Sequence, residues 1–584
     1  MPEKNERLNS FLFFGTKKVI KKSAFFENTT TKKGFITIMK KRMKTLISMG
    51  LSLVMAMSII GCGQEQQVTT SETKQGEVAS TPSTEVVEVD PYEAAEMPET
   101  VTFMTSQGSK IGEEMVDYND VTSFELLEEY TGTHIEWQMI PGAEYAQKFQ
   151  LVLASEEYPD VMIYNWKNLG AKQAAEDGVI VCLSDYAEYM PNFMEWTKNN
   201  PDVAKAYIDE GKIYYLPAIR AEQESCIYYG PVMRTDWLDK LGLDAPTDPD
   251  SLYEVLTAFK TKDPNGNGEA DEIPMSGVGS KNLTYLLTMF GTSREFYAEN
   301  GVIKYGPMEE SYADGMAYIA KLYDEGLIDE EYIMHKRADL VGKITNNKVG
   351  FAYEYQPSAI QRTMAETAPD FKFEGIPHFT NPEGVKTTDY TDYLTRVFSQ
   401  YGAAITTDCE NIEGTLKWLD TLYSPEAIEM FNFGEEGVHH TKNGDKYEFT
   451  DFMYKNPDFT LSRQFTRELA AIDICTPGFQ LWDCYSATLA SSGKEAIETW
   501  ADVDTSMIVP SAISFTAEET EKISTVYNQI KTYVDERIDK IIMGQESVDI
   551  LENVRAEITK MGIQDIIDIY QAAYDRFDSI ALAE

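Results

Sequence analysis

The stretch "HIEWQMIPGAEYAQKFQLVLASEEYPDVMIYNW" (His134–Trp166) decides the fold class. It opens with a short apolar run, continues through the amphipathic segment "EYAQKFQLVLAS", and ends in a second apolar run, Asp160–Trp166. This order predicts strand, helix and strand, and such alternation builds a parallel sheet covered by helices on both faces. "TVTFMTS" (Thr100–Ser106) and "VTSFELLEEYTG" (Val121–Gly132) extend the alternation towards the amino terminus. We therefore predict an α/β domain that begins near residue 98.

The pattern becomes mostly helical from about Pro231. Strand-like "KVGFAYEY" (Lys348–Tyr355) and "YGAAIT" (Tyr401–Thr406) interrupt it, and long helices are predicted near the carboxyl terminus. One of these opens with Thr516 as its cap and Glu519 three residues later, which is a capping box. About 490 residues follow position 97, which is too many for a single core. The chain is therefore expected to be a two-lobed α/β protein with a helix-rich second lobe.

The amino-terminal region has the three parts of a secretory signal. A basic segment, "MKKRMK" (Met39–Lys44), precedes an apolar run that ends at Ile60, and Gly61-Cys62 follows. The run is shorter than the ~20 residues that span a bilayer. Ile59 to Cys62 resembles a bacterial lipobox, in which the cysteine thiol is diacylated and becomes the new amino terminus. Residues 39–61 are thus predicted to be a lipoprotein signal peptide and Cys62 the lipidated residue. An ordinary secreted protein with an incidental cysteine is the alternative.

The segments on either side of this signal are also assigned. Residues 1–38 fit no part of a signal, and we interpret them as a mis-called extension before the true start. Residues 62–97 are rich in Gln, Ser, Thr, Glu and Val. A segment of that composition predicts a flexible linker that holds the folded part away from a membrane.

Charge and cysteine content exclude two classes of protein. The chain has a net charge of −45, and residues 1–61 hold 12 Lys and Arg against 3 Asp and Glu, so the remainder carries −54. Such a surface repels nucleic acid and anionic lipid. Beyond the lipobox the number of cysteines is odd, which argues against a disulfide framework: Cys182, Cys226, Cys409, Cys475 and Cys484. Buried thiols are expected, although Cys475 and Cys484 could pair.

The segment "DPNGNGEADEIP" (Asp263–Pro274) has the spacing of a calcium loop. Gly268 stands at position 6, where an EF-hand loop turns sharply, and oxygen donors stand at positions 1, 3, 5, 7 and 9: Asp263, Asn265, Asn267, the carbonyl of Glu269, and Asp271. Pro274 at position 12 cannot supply a carboxylate, so Glu272 would have to do so. We predict a structural Ca²⁺ site with a dissociation constant on the order of 10⁻⁴–10⁻³ M. An Asn-Gly turn with solvated acids is the alternative.

No catalytic motif stands out in the sequence. A nucleophile elbow, a His-Glu-x-x-His pair and a phosphate-binding glycine loop are all missing. The adjacent carboxylates Glu435 and Glu436, beside His439 and His440, could serve acid–base chemistry in a glycosidase. Because adjacent glutamates are common by chance in so acidic a chain, we expect no enzyme activity.

Aromatic residues near predicted strand ends are a better indication of function. The chain has 7 Trp and 34 Tyr. Trp166 follows a predicted strand, Tyr353 and Tyr355 lie at the end of another, and Trp482 falls in the loop-like "GFQLWDCYS". An aromatic ring presents an apolar face to the C–H face of a sugar, and a phenol adds a hydrogen bond. These residues are candidates for a carbohydrate site. The alternative for each is an ordinary place in the core.

Taken together, these features resemble the bacterial extracellular solute-binding proteins of ABC importers (family 1, the lipoprotein type that includes alginate-oligosaccharide binders). The resemblance runs from about Glu99 to Phe577 and rests on these stretches: "EEYTGTHIEWQMIP", "LVLASEEYPDVM", "DGVIVCLSDYAEYMPNF", "GKIYYLPA", "MRTDWLDKLGL", "AFKTKDPNGNGEADEIPMSG" and "IYQAAYDRF". It implies that loop 263–274 binds structural calcium and that Glu272 is among the ligands.

The resemblance also implies a periplasmic-binding-protein-like (type II) fold in which the chain crosses three times between two lobes. The crossings are expected near 216–234, 396–403 and 434–441. The N-terminal lobe would then comprise 98–222 plus 402–436, and the C-terminal lobe 223–401 plus 437–584. Ligand would sit in the cleft between lobes that close by hinge rotation. By position, the residues expected to line the cleft are Trp166, Tyr228, Tyr353, Tyr355, Arg396, His439 and Trp482.

The function implied is that of a monomeric lipoprotein on the extracellular face of the cell membrane. It would capture a sugar, expected to be an oligosaccharide, and deliver it to the permease of an ABC transporter. Two alternatives remain open: an extracellular polysaccharide hydrolase or lyase, and a peptide-binding protein of the same fold.

Overall fold

The computed structural model describes residues 90–107, 117–388, 397–444, 446–473 and 476–582. In this part of the chain the strands are, in order, β1 Thr100–Ser106, β2 His134–Ile140, β3 Val161–Tyr164, β4 Ile208–Asp209, β5 Lys212–Ile213, β6 Leu216–Arg220, β7 Tyr229–Arg234, β8 Ile273–Ser276, β9 Phe296–Glu299, β10 Val302–Tyr305, β11 Val349–Tyr355, β12 Phe373–Gly375, β13 Val397–Ile405, β14 His440–Asn443, β15 Lys446–Phe449 and β16 Gly478–Gln480.

The described residues also form a series of α-helices. They are Pro91–Ala94, Thr122–Thr131, Gly142–Ser155, Trp166–Leu169, Ala171–Glu176, Pro191–Asn199, Pro201–Ala204, Thr235–Leu241, Pro249–Thr261, Gly279–Thr284, Glu310–Asp324, Arg337–Thr345, Ser358–Met364, Ile412–Thr421, Pro425–Phe433, Asp451–Tyr454, Leu461–Glu468, Trp482–Ser486, Ser491–Trp500, Ala517–Lys522, Asn528–Ile542, Ile550–Met561 and Ile563–Asp578. Among these helices and their neighbours, none has the length and apolar character needed to cross a bilayer.

The first lobe is built on a six-stranded sheet of order β16-β6-β13-β3-β1-β2. The predicted alternation gives its parallel half, since β1 pairs in parallel with both β2 and β3. Strand β13, however, runs antiparallel to β3 and to β6. The sheet is therefore mixed rather than wholly parallel, because a strand that arrives from another lobe enters at the opposite end.

One hydrophobic core joins this sheet to its helices, with buried side chains from 101–219 and 397–484. Residues 440–484 thus belong to the first lobe, whereas the predicted division placed 437–584 in the second. The physical reason is the pairing of β16 with β6, Gly478 opposite Ala218 and Gln480 opposite Arg220, which holds this segment on the edge of the first sheet.

The second lobe is built on the four-stranded sheet β12-β7-β11-β8. Two buried clusters cover it, drawn mainly from 227–379 and 485–566. Long helices dominate the lobe, as predicted, and Thr516 and Glu519 form the predicted capping box. One turn of π-helix, Ile523–Tyr527, lies inside the helical stretch that follows. Near its end the chain returns to the first lobe, where Phe577 packs against the first core.

The last part of the predicted linker is docked on the first lobe. Residues 91–94 form a short helix capped by Asp90. Lys417 donates from Nζ to the Ala95 carbonyl at 3.0 Å, and Asn411 donates from Nδ2 to the Glu96 carbonyl at 3.0 Å. Residues 90–97, which the prediction assigned to the linker, thus belong to the folded part. The predicted signal 39–61 and the lipidated Cys62 lie outside the described residues.

Candidate functional site

The chain passes between the lobes at one edge of the first sheet. Strands β6 and β16 run in parallel and both end at this edge, at Arg220 and Gln480. Strand β13 is antiparallel to β6 and begins there, with Val397 opposite Ile219. We call this side the crossing edge. Ligands of α/β sheets bind outside the carboxyl ends of strands, so the topology itself marks the crossing edge as a candidate site.

Two of the three predicted crossings can be compared with the structure. The first, from β6 to β7, lies within the predicted 216–234. The third predicted crossing was placed at 434–441, but after β16 the chain instead leaves the first lobe through the helix Trp482–Ser486. The other crossing includes residues 389–396, which lie outside the described residues.

An aromatic cluster lies beside the crossing edge, formed by Tyr228, Tyr355, Trp482 and Tyr485. The rings of Tyr228 and Tyr355 are parallel, with centroids 6.0 Å apart. Tyr485 meets Tyr228 edge-on at 5.5 Å, and its hydroxyl lies 3.3 Å from that of Tyr355. Trp482, one helical turn before Tyr485, lies 6.1 Å from it. Parallel rings with polar rims offer both stacking faces and hydrogen-bonding groups to a ligand.

Two phenols of this cluster, Tyr485 and Tyr228, have a raised pKa and stay protonated over the physiological range. Burial raises the pKa of Tyr485 well above its ordinary value. Burial also raises the pKa of Tyr228, although nearby Arg220 opposes the shift. Each hydroxyl can therefore donate one hydrogen bond and accept others, which suits a ligand that carries hydroxyl groups.

An ion pair stands beside the aromatic cluster. Arg337 donates from Nε to the Glu354 carboxylate at 2.7 Å, and its guanidinium lies 5.5 Å from the ring of Tyr355. The Glu354 side chain is 3 % exposed, whereas that of Arg337 is 50 % exposed. Burial raises the pKa of Glu354. Because Arg337 binds the carboxylate through Nε and is half exposed, its outer N–H groups are available to a ligand.

Two predicted cleft residues are instead core residues. Trp166 is fully buried, donates from its indole to the Met162 carbonyl at 3.1 Å, and packs edge-on against Phe149. Tyr353 is 1 % exposed and stacks on Tyr285 with centroids 4.3 Å apart. Trp166 faces inward because it begins a helix, and Tyr353 because it lies within β11 and not at the strand's end. Both predictions of an accessible ring are wrong for this structure.

Two further candidates lie apart from the aromatic cluster or outside the described residues. His439 is 3 % exposed inside the first lobe, where Nδ1 accepts from the Glu435 N–H at 3.0 Å and Nε2 lies 3.2 Å from Glu468. These contacts give it a structural role. Arg396 lies outside the described residues. Tyr228, Tyr355 and Trp482 are brought together, and their role in binding stays a prediction.

Sequence reasoning missed Tyr485 and Arg337. Tyr485 stands three residues after Trp482, and this spacing on a helix was a readable signal that both face one side. Arg337 gave no such signal, because its contact with Tyr355 depends on how the helix Arg337–Thr345 packs against β11.

Loop 263–274 is wound around the carboxylate of Asp263. This carboxylate accepts from the N–H groups of Gly266, Asn267 and Gly268 at 2.9–3.1 Å. Asp263, Gly266 and Gly268 have positive φ angles of 45°, 74° and 81°. Such left-handed residues allow the backbone to wrap tightly around one point, as the predicted calcium loop requires.

The donor set of this loop fits a hard cation. Its candidate ligands are all oxygens, and Asp271 already attracts the ammonium of Lys348 at 2.9 Å. Oε1 of Glu272 is buried and has no hydrogen-bond partner among the described residues. A buried carboxylate oxygen without a partner is costly, and burial raises the pKa of Glu272. A Ca²⁺ ion would satisfy this oxygen, in agreement with the prediction that Glu272 replaces the missing ligand at position 12.

Two lobes, three strands (β6, β13 and β16) that share the crossing edge, and an aromatic cluster beside them are typical of a two-lobed solute-binding fold. The sequence model for bacterial extracellular solute-binding proteins matches residues 109–429, which is more than half of the chain. The protein therefore belongs to that family.

Individual relatives agree with this assignment. The fructooligosaccharide ABC transporter substrate-binding protein FusA of Streptococcus pneumoniae is 26% identical over 82% of this chain and 91% of its own. The polygalacturonan/rhamnogalacturonan-binding protein YtcQ of Bacillus subtilis is 23% identical, over 77% and 87%. The crystal structure of alginate-binding protein AlgQ2 without calcium ion has 25% identity and a TM-score of 0.59, over 83% of this chain and 99% of that one.

Proposed function

We propose that this protein is a membrane-anchored extracellular lipoprotein that captures an oligosaccharide between its lobes and delivers it to an ABC-transporter permease. The observation that carries the proposal is the aromatic cluster at the crossing edge. Parallel rings, phenol hydroxyls and the half-exposed guanidinium of Arg337 form the mixed apolar and hydrogen-bonding surface that a sugar requires. Three relatives described as binders of fructooligosaccharide, polygalacturonan and alginate support the same ligand class.

Binding without chemistry is the expected behaviour. Glu435 and Glu436, the carboxylates of the hydrolase alternative, stand in the turn before β14 within the first lobe. The backbone N–H of Glu435 donates to His439, and Glu436 forms a backbone bridge with His440. These contacts suit a turn that supports β14. In this proposal the two carboxylates take no part in ligand binding or in chemistry.

Two further features complete the proposal. Cys62 carries the lipid anchor, and the polar segment after it connects the anchor to the folded lobes. Loop 263–274 holds a structural Ca²⁺ ion through Asp263, Asn265, Asn267, Glu269, Asp271 and Glu272. This ion stabilises the second lobe, since residues of the loop contact the helix Thr235–Leu241 through Lys240, which donates to the Pro264 carbonyl at 2.8 Å.

The test combines a binding screen with a turnover assay. Thermal shift against a library of oligosaccharides should identify at least one glycan that raises the melting temperature, because a ligand that binds only the folded state stabilises it. The same glycan, labelled and incubated with the protein, should be bound stoichiometrically and recovered intact. Steady release of product would establish the hydrolase or lyase. A shift with oligopeptides and none with glycans would establish the peptide-binding alternative.

A further inference from the structure

A second cluster of metal-binding side chains lies in the second lobe and shares no residue with loop 263–274. It is formed by Asp329, Glu331 and His335, which lie between the helices Glu310–Asp324 and Arg337–Thr345. One candidate ligand atom from each residue lies within 4.8 Å of those of the others. The side chains of Asp329 and His335 are each 5 % exposed. The set contains an imidazole and two carboxylates, unlike the all-oxygen set of the calcium loop.

The imidazole of His335 is oriented so that one nitrogen faces a carboxylate. Nδ1 lies 3.1 Å from the Gly277 carbonyl, which can only accept, so Nδ1 carries the proton. Nε2 therefore presents a lone pair in the neutral ring. This atom is buried, has no hydrogen-bond partner among the described residues, and faces the Asp329 carboxylate at 3.7 Å. A lone pair that faces a carboxylate in a buried place is repelled by it, and a cation between the two, either a proton or a metal ion, removes the repulsion.

Lys343 supplies part of that charge to the two carboxylates. Its ammonium donates to Asp329 at 2.9 and 3.1 Å and to Glu331 at 2.8 Å. Its side chain is 23 % exposed, so the ammonium can move out to solvent. The lysine thus acts as a removable counter-ion, while the Nε2 of His335 remains unsatisfied beside it.

We propose that Asp329, Glu331 and His335 bind a divalent transition-metal ion, with Zn²⁺ as the best match, in exchange for the ammonium of Lys343. With an ion about 2.1 Å from both Nε2 and the facing carboxylate oxygen, the N–metal–O angle would be roughly 120°. A four-coordinate zinc site accepts this angle after slight relaxation. One imidazole and two carboxylates suit zinc rather than calcium. Water would fill the fourth position.

The groups around the cluster support ligation. The hydroxyl of Ser276 donates to Asp329 at 2.8 Å, and the Gly277 carbonyl fixes the tautomer of His335. Such outer partners orient metal ligands and raise their affinity. An ion here would tie segment 329–335 to the end of β8. That segment leads directly into Arg337, so the metal would also fix the arginine that stands beside the aromatic cluster.

The test is isothermal titration of ZnCl₂ into the mature protein at millimolar Ca²⁺, which keeps loop 263–274 occupied. The wild type should bind one Zn²⁺. H335Q and E331Q should each bind roughly tenfold more weakly or worse, as loss of ligands requires. K343Q should bind about tenfold more tightly, because no ammonium has to leave. Glu331 is 72 % exposed, so E331Q keeps the test valid if H335Q fails to fold.

A matched surface variant controls for adventitious binding. His134 is 47 % exposed and lies 2.9 Å from Glu128, so it offers a similar pair of groups on the first lobe. H134Q should leave zinc binding unchanged. The proposal is overturned if H134Q removes the binding, if H335Q and E331Q bind as tightly as the wild type, or if neither the wild type nor K343Q takes up zinc. The calcium proposal and the oligosaccharide proposal survive any of these results.

Discussion

Truncation of Trp482 is the sharpest perturbation of the candidate sugar site. Its ring is half-buried at the last crossing and contacts Tyr485, while its backbone N–H donates to Glu222 at 2.8 Å. The substitution W482A removes the ring and keeps this backbone bond. A central tryptophan in a binding site contributes about 2 kcal/mol or more. At 1.4 kcal/mol per factor of ten, the dissociation constant should rise by roughly thirtyfold.

Stability has to be separated from binding in this experiment. Truncation of a fully buried large aromatic side chain lowers the free energy of unfolding by about 3–5 kcal/mol. Truncation of a half-buried ring should therefore lower it by roughly 2 kcal/mol. The protein should therefore remain folded at 25 °C with a lowered melting temperature. W482F keeps a stacking face and should lose only about fivefold in affinity, since a smaller ring still covers the sugar.

Isothermal titration with the best glycan from the screen measures the effect. Y130A is the matched control, because Tyr130 is an aromatic residue that is 41 % exposed on the helix Thr122–Thr131, outside the aromatic cluster. It should bind the glycan as the wild type does. The reasoning is refuted if folded W482A binds within threefold of the wild type, or if Y130A weakens binding equally.

Three other predictions test the remaining features. R337M should lose about 3 kcal/mol of unfolding free energy at pH 8, because the buried carboxylate of Glu354 is left unpaired. The loss should be smaller at pH 4.5. Burial already raises the pKa of Glu354, and without Arg337 this pKa rises further, so the folded variant holds a proton that the unfolded chain releases as the pH increases. Equal losses at both pH values in urea unfolding would contradict this. Removal of Ca²⁺ should lower the melting temperature of the wild type by several degrees and leave E272Q almost unaffected; an unchanged melt in the wild type, with no calcium by mass analysis, would end the calcium proposal. C62S should abolish palmitate labelling of the mature protein in cells, and labelling that persists would place the anchor elsewhere.

The regular elements were largely readable from the sequence. Strand β1 has the predicted bounds Thr100–Ser106, and the capping box at Thr516 forms as expected. Both follow from local rules, namely alternation of apolar residues and side-chain capping. The presence of two lobes was predicted from a different kind of signal, namely the chain length together with the change of pattern near Pro231.

The position of the last crossing was not readable. Strand β16 has only three residues, Gly478–Gln480, and its place beside β6 comes from tertiary pairing rather than from local pattern.

Trp166 was misread for a related reason. It follows a strand, as a loop residue would, but the Asn165 side chain accepts from the Asn168 N–H and caps a helix that begins at Trp166. The ring then turns into the core, which only the three-dimensional contacts reveal.

The central claim is that a sugar is held at the crossing edge by the aromatic cluster. A crystal structure of the protein with its best-binding oligosaccharide tests this most directly. We predict closed lobes, with sugar rings stacked on Trp482 or Tyr355 and hydroxyls bonded to Tyr228 or Arg337. A glycan bound on any other surface, with none of these four side chains in contact with it, would contradict the account.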